Sequence, residues 1–138
     1  LEIPILWVEQ NPQGLGSTIP EIADVLKNSQ PIIKMSFSCC RNNRFLQALN
    51  GLNRNQVLIA GIEAHICVYQ TSAELVALGY DVSVVADAVS SRIMANKNIG
   101  LQKMKDSGVI LTSVETALFE LLKVAEGEPF REIVKIVK

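Results

Sequence analysis

Residues 56–61, Gln-Val-Leu-Ile-Ala-Gly, lead into the turn Ile62-Glu63-Ala64-His65-Ile66, and Cys67 follows directly. An apolar run this short, closed by glycine, is typical of a strand that is covered on both faces, as in parallel sheets. The next residues predict a helix that ends at Gly79, where a left-handed C-cap fits. Cys67 is therefore predicted to lie just beyond the carboxyl end of a strand, in the first turn of a helix.

A thiol at that position has surroundings that favour its ionised form. The unpaired N–H groups and the dipole of a helix N-terminus stabilise an anion, so Cys67 should ionise more readily than a free thiol. The same amides could hold an oxyanion. A lone cysteine at a helix start is also often a small buried apolar residue, and its position alone leaves both interpretations open.

The composition predicts one soluble domain. The 138 residues are 49% hydrophobic, which is enough for one sizeable core. A net charge of −1 without a basic run gives little support for a nucleic-acid or membrane partner. Three cysteines without a CxxC pair fit a reduced, cytoplasmic protein, with Cys39 and Cys40 as bystanders. Because His65 is the single histidine, neither a metal site nor a cofactor is expected.

Strand and helix signals alternate along the chain, which predicts an α/β fold built from βαβ units on a parallel sheet. Polar loops follow the strands, at the edge of such a sheet where ligands bind. The predicted strands cover Ile3–Val8, Pro31–Ile33, Gln56–Gly61, Asp81–Ala86 and Gly108–Leu111. The first predicted helix is capped by Ser17 or Thr18 and turns Ile22, Val25 and Leu26 inward. The other predicted helices cover 43–49, 67–78, 95–105, 114–124 and the residues from Pro129 onward.

Several separate motifs resemble those of one known family and occur in its order. They are Gly61-Ile62-Glu63-Ala64-His65-Ile66-Cys67-Val68-Tyr69-Gln70-Thr71, Gly79-Tyr80, Val85-Ala86-Asp87-Ala88-Val89-Ser90-Ser91-Arg92, Glu9-Gln10 through Gly14-Leu15-Gly16, and Lys34 with Phe37-Ser38. The chain resembles the isochorismatase-like cysteine hydrolases, closest to their isochorismatase-domain-containing branch. The resemblance implies a three-layer α/β/α fold with a mostly parallel, Rossmann-like sheet, in one domain over residues 1–138.

The resemblance also implies a triad of Asp, Lys and Cys. Cys67 is then the nucleophile, and Lys34 is the cation beside it. A cis peptide bond is expected between Ile62 and Glu63, and the backbone N–H groups of Glu63 and Cys67 would hold the oxyanion. From the residue pattern alone, an ordinary exposed lysine that closes a strand is the favoured interpretation of Lys34.

The third triad member is the difficulty. In the family this Asp stands at the end of an additional strand, which comes before the segment that Ile3–Val8 matches. In the sheet, that additional strand lies between the strands that Ile3–Val8 and Gln56–Gly61 match. We therefore expect the sequence to be truncated or incompletely recorded at its N-terminus, with a gap in the sheet. Asp87 is the best internal substitute, and an Asp that hydrogen-bonds its own turn is the alternative.

Other polar and aromatic residues are candidates for the edge of the site. Gln10, Phe37 and His65 are expected at a substrate pocket, although His65 could also simply form the turn. Trp7 and Phe37 could form an apolar wall for a planar substrate or pack in the core. Residues 90–92, Ser-Ser-Arg, are expected to fix a loop or an interface rather than to touch substrate.

Departures from the family patterns narrow the expected reaction. Nicotinamidases usually carry an Asp/His metal cluster, for which one histidine is too few, and true isochorismatases tend to lack the cysteine nucleophile. The resemblance thus implies hydrolysis of a C–N bond in a small amide or carbamoyl compound through an acyl group on Cys67, in a homodimer or larger homo-oligomer. The alternative is a catalytically inactive interaction or thiol-sensing protein.

Overall fold

The strands pair in parallel, and helices connect successive strands, as the alternating sequence pattern predicts. The computed structural model describes residues 1–137. The strands are β1 (Val8–Gln10), β2 (Ile32–Lys34), β3 (Gln56–Ile62), β4 (Asp81–Ser90) and β5 (Ile110–Thr112). The α-helices are α1 (Pro12–Leu15), α2 (Pro20–Ala23), α3 (Asn43–Gly51), α4 (Tyr69–Ala77), α5 (Met94–Asp106), α6 (Val114–Leu122) and α7 (Gly127–Val137).

Helices cover both faces of the larger sheet, so the predicted three-layer α/β/α class is confirmed. Side chains alternate along β3: Val57 and Ile59 pack against the core under α3, α4 and α5, whereas Leu58 and Ala60 face α6. Leu75 of α4 and Met104 of α5 are fully buried in that core. Within residues 1–137, none of the helices combines the length and the apolar character that crossing a bilayer requires.

The strands of residues 1–137 form two sheets, β1–β2 and β3–β4–β5. In this part of the chain, β1 and β3 therefore each have one edge without a paired strand. The carboxyl ends of β2 and β3 deliver Lys34 and the turn before Cys67.

Three elements differ most from the sequence predictions. The first strand covers Val8–Gln10 and not Ile3–Val8, because pairing with β2 begins only at Val8. The fourth strand continues beyond Ala86 to Ser90, since its last residues pair with the end of β3. The inward stripe expected after Pro20 is wrong: α2 is one turn long, and Ile22 and Val25 are exposed.

The pairing of β3 with β4 changes register just before the turn that carries Cys67. Ile59 is paired with Val84, but Gly61 is paired with Val89, so β4 contains the extra residues. Gly61 has φ 122°, a backbone conformation that a residue with a Cβ rarely adopts. This irregularity bends the end of β3 and sets the direction in which the chain enters the turn.

Gly100 allows α5 to approach the backbone of the same turn. A Cβ at position 100 would lie 2.7 Å from the Cα of His65, 2.8 Å from its nitrogen and 2.9 Å from the carbonyl carbon of Ala64. These are backbone atoms, which cannot rotate away. The sequence signal was an isolated glycine inside a helical pattern, which often marks close packing.

Replacing Gly100 with alanine should therefore destabilise the protein, although alanine is the better helix former. The clash should cost about 1–3 kcal/mol of unfolding free energy, the usual range for overpacking. Gly51→Ala is the matched control, because a Cβ there meets nothing within 4 Å, and it should be neutral or stabilising by up to about 1 kcal/mol. Urea unfolding of both variants measures the difference, and equal stabilities would contradict the packing argument.

Candidate active site

Cys67 lies in a wide turn between β3 and α4. The peptide bond between Ile62 and Glu63 is cis. Residues Ala64–Val68 then form one turn of π-helix, in which the N–H groups of Ile66 and Val68 both donate to the carbonyl oxygen of Glu63. The sequence predicted an α-helical first turn, and the structure has this wider turn instead, continuous with α4. Glu63 and Cys67 are thereby brought to the same turn.

Lys34 brings a positive charge to the Cys67 sulfur. Its side chain is buried, and its Nζ lies 3.7 Å from the Sγ of Cys67. The ammonium also donates to the carbonyl oxygens of Ser36 at 2.8 Å and Phe37 at 2.8 Å, and to the Oε1 of Gln10 at 2.6 Å. The ammonium therefore places a fixed positive charge next to the sulfur of Cys67.

The charge of Lys34 has no carboxylate partner among residues 1–137. No ion pair within 4.0 Å joins its ammonium to an Asp or Glu in this part of the chain. Asp87, the expected internal substitute, uses its Oδ1 to accept the N–H of Val114 at 2.9 Å. It thus caps the start of α6 instead of its own turn, and it makes no hydrogen bond to Lys34 or Cys67.

Two of the three expected pocket residues contact Lys34. Gln10 binds the ammonium through Oε1 and donates through Nε2 to the carbonyl oxygen of Met35 at 2.9 Å. Phe37 contributes its backbone carbonyl, and its aromatic side chain is 56% exposed beside the site. Trp7, considered as a second wall, instead donates its indole N–H to the hydroxyl of Thr18 at 2.8 Å.

His65 belongs to a polar cluster at the turn. Its Nδ1 lies 2.9 Å from the hydroxyl of Ser91 and 3.8 Å from the Oε2 of Glu63. The same carboxylate oxygen accepts the backbone N–H of Arg92 and lies 3.6 Å from its Nε. These contacts tie the turn to the end of β4, and among the described residues no hydrogen bond joins His65 to Cys67.

A second polar network, which the sequence did not reveal, fastens the loop after Lys34 to α4. The buried hydroxyl of Ser38 donates to Glu74 at 2.7 Å, and the guanidinium of Arg41 lies 2.9 Å from the same carboxylate. The Cys39 N–H donates to the hydroxyl of Thr71 at 3.0 Å. The Ser38 hydrogen bond, together with the Arg41 hydrogen bond and charge, lowers the pKa of Glu74, although burial partly opposes this effect.

The other two cysteines have surroundings that oppose ionisation. Burial raises the pKa of the Cys39 thiol, and the hydrogen bond from Thr71 and the charge of Lys34 offset only part of that rise. Burial also raises the pKa of Cys40, to about 11, and the Glu74 carboxylate adds to the effect. Among residues 1–137, no three or more His, Cys, Asp or Glu side chains are grouped so that they could hold a metal ion.

Comparison with known proteins places these features in a family. The model of the isochorismatase domain matches residues 1–116. The chain is 39% identical to the secreted isochorismatase effector Isc1 of Phytophthora sojae over 143 residues, which cover 100% of this chain and 68% of that protein. The chain therefore belongs to the isochorismatase family, as its motifs indicate.

Solved structures agree with this assignment. The MAR1 ribonuclease of Caenorhabditis elegans is 36% identical, with a TM-score of 0.89 over 98% of this chain and 69% of that one. The YcaC gene product of Escherichia coli, described as an octameric hydrolase of unknown specificity, shares the fold at 20% identity, with a TM-score of 0.87 over 93% and 65% of the two chains. The present chain thus spans about two thirds of these proteins.

The three cysteines should differ in reactivity. At neutral pH, iodoacetamide should label Cys67 at least about tenfold faster than Cys39 or Cys40. Burial suppresses the ionisation of Cys39 and Cys40, whereas Cys67 lies beside Lys34. Mass spectrometry of the separate peptides gives the three rates. Lys34→Met should slow labelling of Cys67, and equal rates at all three sites would contradict an activated nucleophile.

The Glu74 network should weaken in acid. A folded-state pKa below the ordinary value of about 4.5 means that the carboxylate stabilises the fold above that value, and that this contribution is lost as pH falls through the folded pKa. Glu74→Gln should therefore lower the melting temperature near pH 7, and this deficit should shrink as the pH falls well below 4.5. Glu120→Gln, at an exposed position of α6, is the control and should show no such pH dependence. A Glu74→Gln deficit that is unchanged by acid would contradict the proposed role of the carboxylate.

Proposed function

We propose that this protein is a cysteine hydrolase that cleaves a C–N bond of small amide or carbamoyl compounds. The observation that carries the proposal is the buried Lys34 ammonium 3.7 Å from the sulfur of Cys67. A nucleophile is needed for covalent amide hydrolysis, and a neighbouring cation makes a thiol a better one at neutral pH. Membership of the isochorismatase family supports this chemistry.

The proposed reaction has two halves. The Cys67 sulfur attacks the carbonyl carbon, the backbone N–H groups of Glu63 and Cys67 stabilise the oxyanion, and the amine leaves with the proton that the thiol has lost. Water then attacks the thioester, which releases the carboxylic or carbamic acid and restores the thiol. Lys34 supplies fixed positive charge throughout and forms no bond to substrate.

A general base is also required to carry the proton from the thiol to the leaving amine. Asp87 is bound to the start of α6, so it does not meet this need. We propose that the base is an Asp in sequence that precedes Leu1, at the end of a strand that lies between β1 and β3. In that case, residues 1–138 are most of a single catalytic domain.

The charges around the site favour a small molecule over RNA as substrate. Arg41 and Arg92, which lie on elements adjoining the site, are paired with Glu74 and Glu63, and the net charge of the chain is −1. Tight phosphate-backbone binding needs several available cations. We further propose that the protein acts in the cytoplasm, because its three cysteines are free, and that it assembles into a homo-oligomer, as the octameric YcaC does.

One observation favours a second candidate function. The ammonium of Lys34 has no carboxylate partner among residues 1–137, so a sulfur beside a cation but without an adjacent base is the alternative description of the site. Such a sulfur would be oxidised by peroxide without turning over an amide. The second candidate is accordingly a thiol-sensing protein.

The protein expressed from its complete gene should release ammonia or amine from at least one compound in a panel of small amides and carbamoyl compounds. Cys67→Ala should lower this rate on the order of 10³-fold or more, since no other group replaces a covalent nucleophile. Rapid acid quenching followed by mass spectrometry should detect the acyl group on the peptide that contains Cys67.

Cys40→Ala is the control and should keep the activity, because Cys40 lies in the loop that is fastened to α4 and its Sγ faces the carbonyl oxygen of Thr71. Unchanged turnover in Cys67→Ala would refute the covalent mechanism. Absence of turnover together with rapid peroxide oxidation of Cys67 would favour the sensing function. Cleavage of an RNA oligonucleotide that depends on Cys67 would contradict the small-molecule assignment.

A further inference from the structure

Gln10 is the side chain that fixes the position of the Lys34 ammonium. The two residues are directly paired in the parallel strands β1 and β2, so their side chains leave the sheet side by side. The Oε1 of Gln10 lies 2.6 Å from the Nζ of Lys34, and its Nε2 lies 2.9 Å from the carbonyl oxygen of Met35. Both ends of the amide are therefore used within the protein.

The orientation of this amide is determined by its two partners. An ammonium group can only donate hydrogen bonds, so it must face the oxygen of Gln10, and a backbone carbonyl can only accept, so it must face the nitrogen. Rotating the amide by 180° would place donor against donor and acceptor against acceptor. Gln10 is thus held in the one orientation that directs an acceptor at Lys34.

The ammonium has three N–H donors, and three oxygen atoms surround it at 2.6–2.8 Å. The sulfur of Cys67 is farther away, at 3.7 Å, so the ammonium acts on it mainly through its electric field and not through a short hydrogen bond. Two of the oxygens are backbone carbonyls of the following loop, at Ser36 and Phe37. Gln10 is the one side chain among the three acceptors.

The acceptor that Gln10 provides is also neutral. A carboxylate at this position would pair with the ammonium and cancel much of its effect on the sulfur. The side chain of the preceding residue, Glu9, lies on the other side of β1, where its Oε1 accepts the N–H of Thr18 at 2.8 Å. The local sequence thus puts the amide, and not the acid, beside Lys34.

We propose that Gln10 is a positioning residue for the reaction: its neutral oxygen holds the Lys34 ammonium beside Cys67 and adds no negative charge of its own to the site. The proposal rests on the proposed function of Cys67 as nucleophile. Gln10 touches neither sulfur nor substrate in this role, so its effect must pass through Lys34.

The test is the rate of Cys67 alkylation by iodoacetamide as a function of pH, in the protein expressed from its complete gene. Gln10→Met keeps the length of the side chain but removes the acceptor, and it should slow labelling at neutral pH about threefold to tenfold. In a Lys34→Met background the same substitution should have no further effect, as expected for residues that act as one unit. Gln13→Met, on exposed α1, is the control and should leave the rate unchanged in both backgrounds.

Gln10→Glu separates charge from position. The carboxylate retains an oxygen near Lys34 but offsets its charge, so the pH profile of labelling should be displaced to higher pH relative to the unmodified protein. If Gln10→Met unfolds the protein, Cys39 and Cys40 will label as fast as Cys67, and Gln10→Glu then decides the question. A wild-type profile for Gln10→Glu, or equal slowing by Gln10→Met with and without Lys34, would overturn the proposal.

The outcomes also separate this inference from the proposed reaction. Labelling of Cys67 that depends on Gln10 through Lys34, without any amide turnover, would support the positioning role and refute amide hydrolysis. Amide turnover together with a labelling rate that does not change when Gln10 is replaced would support amide hydrolysis and refute the positioning role. If Cys67 labels no faster than Cys39 in the unmodified protein, both proposals fail together.

Discussion

The burial of one ammonium group beside a thiol is the constraint on which the rest of the structure depends. A buried charge is costly unless its hydrogen-bonding capacity is met, and here neutral oxygens from Gln10, Ser36 and Phe37 meet that of Lys34. None of these oxygens neutralises the charge. The field of the ammonium is therefore available to the sulfur of Cys67, and two elements distant in sequence become one site.

The same contacts connect the two sheets. Lys34 ends β2 in the smaller sheet, whereas Cys67 follows β3 in the larger one. The loop after Lys34 is then fastened to α4 through Ser38 and Glu74. Because these links cross between the sheets near the site, a change that loosens the loop should affect both the stability of the fold and the placement of the ammonium.

The turn that carries Cys67 is restrained from three directions. The change of register at Gly61 sets its entry, the close approach of Gly100 fixes its backbone from the side of α5, and Glu63 ties it to the end of β4 through Arg92. Such support would hold Cys67 in place for the role of nucleophile that we propose, since small displacements are costly for catalysis. Family membership accounts for the shared motifs, and these contacts show what the motifs do mechanically.

The sequence by itself determined the α/β class, the family, the position of Lys34 at the end of a strand and that of Cys67 just beyond one, because hydrophobic period and local motifs are short-range properties. It misjudged β1 and the end of β4, where pairing with another strand, and not composition, decides the boundary. Only the tertiary structure showed that Gln10 binds Lys34 and that Asp87 caps α6. Hydrogen-bond partners far apart in the chain follow from the packing of whole elements, and no local pattern encodes them.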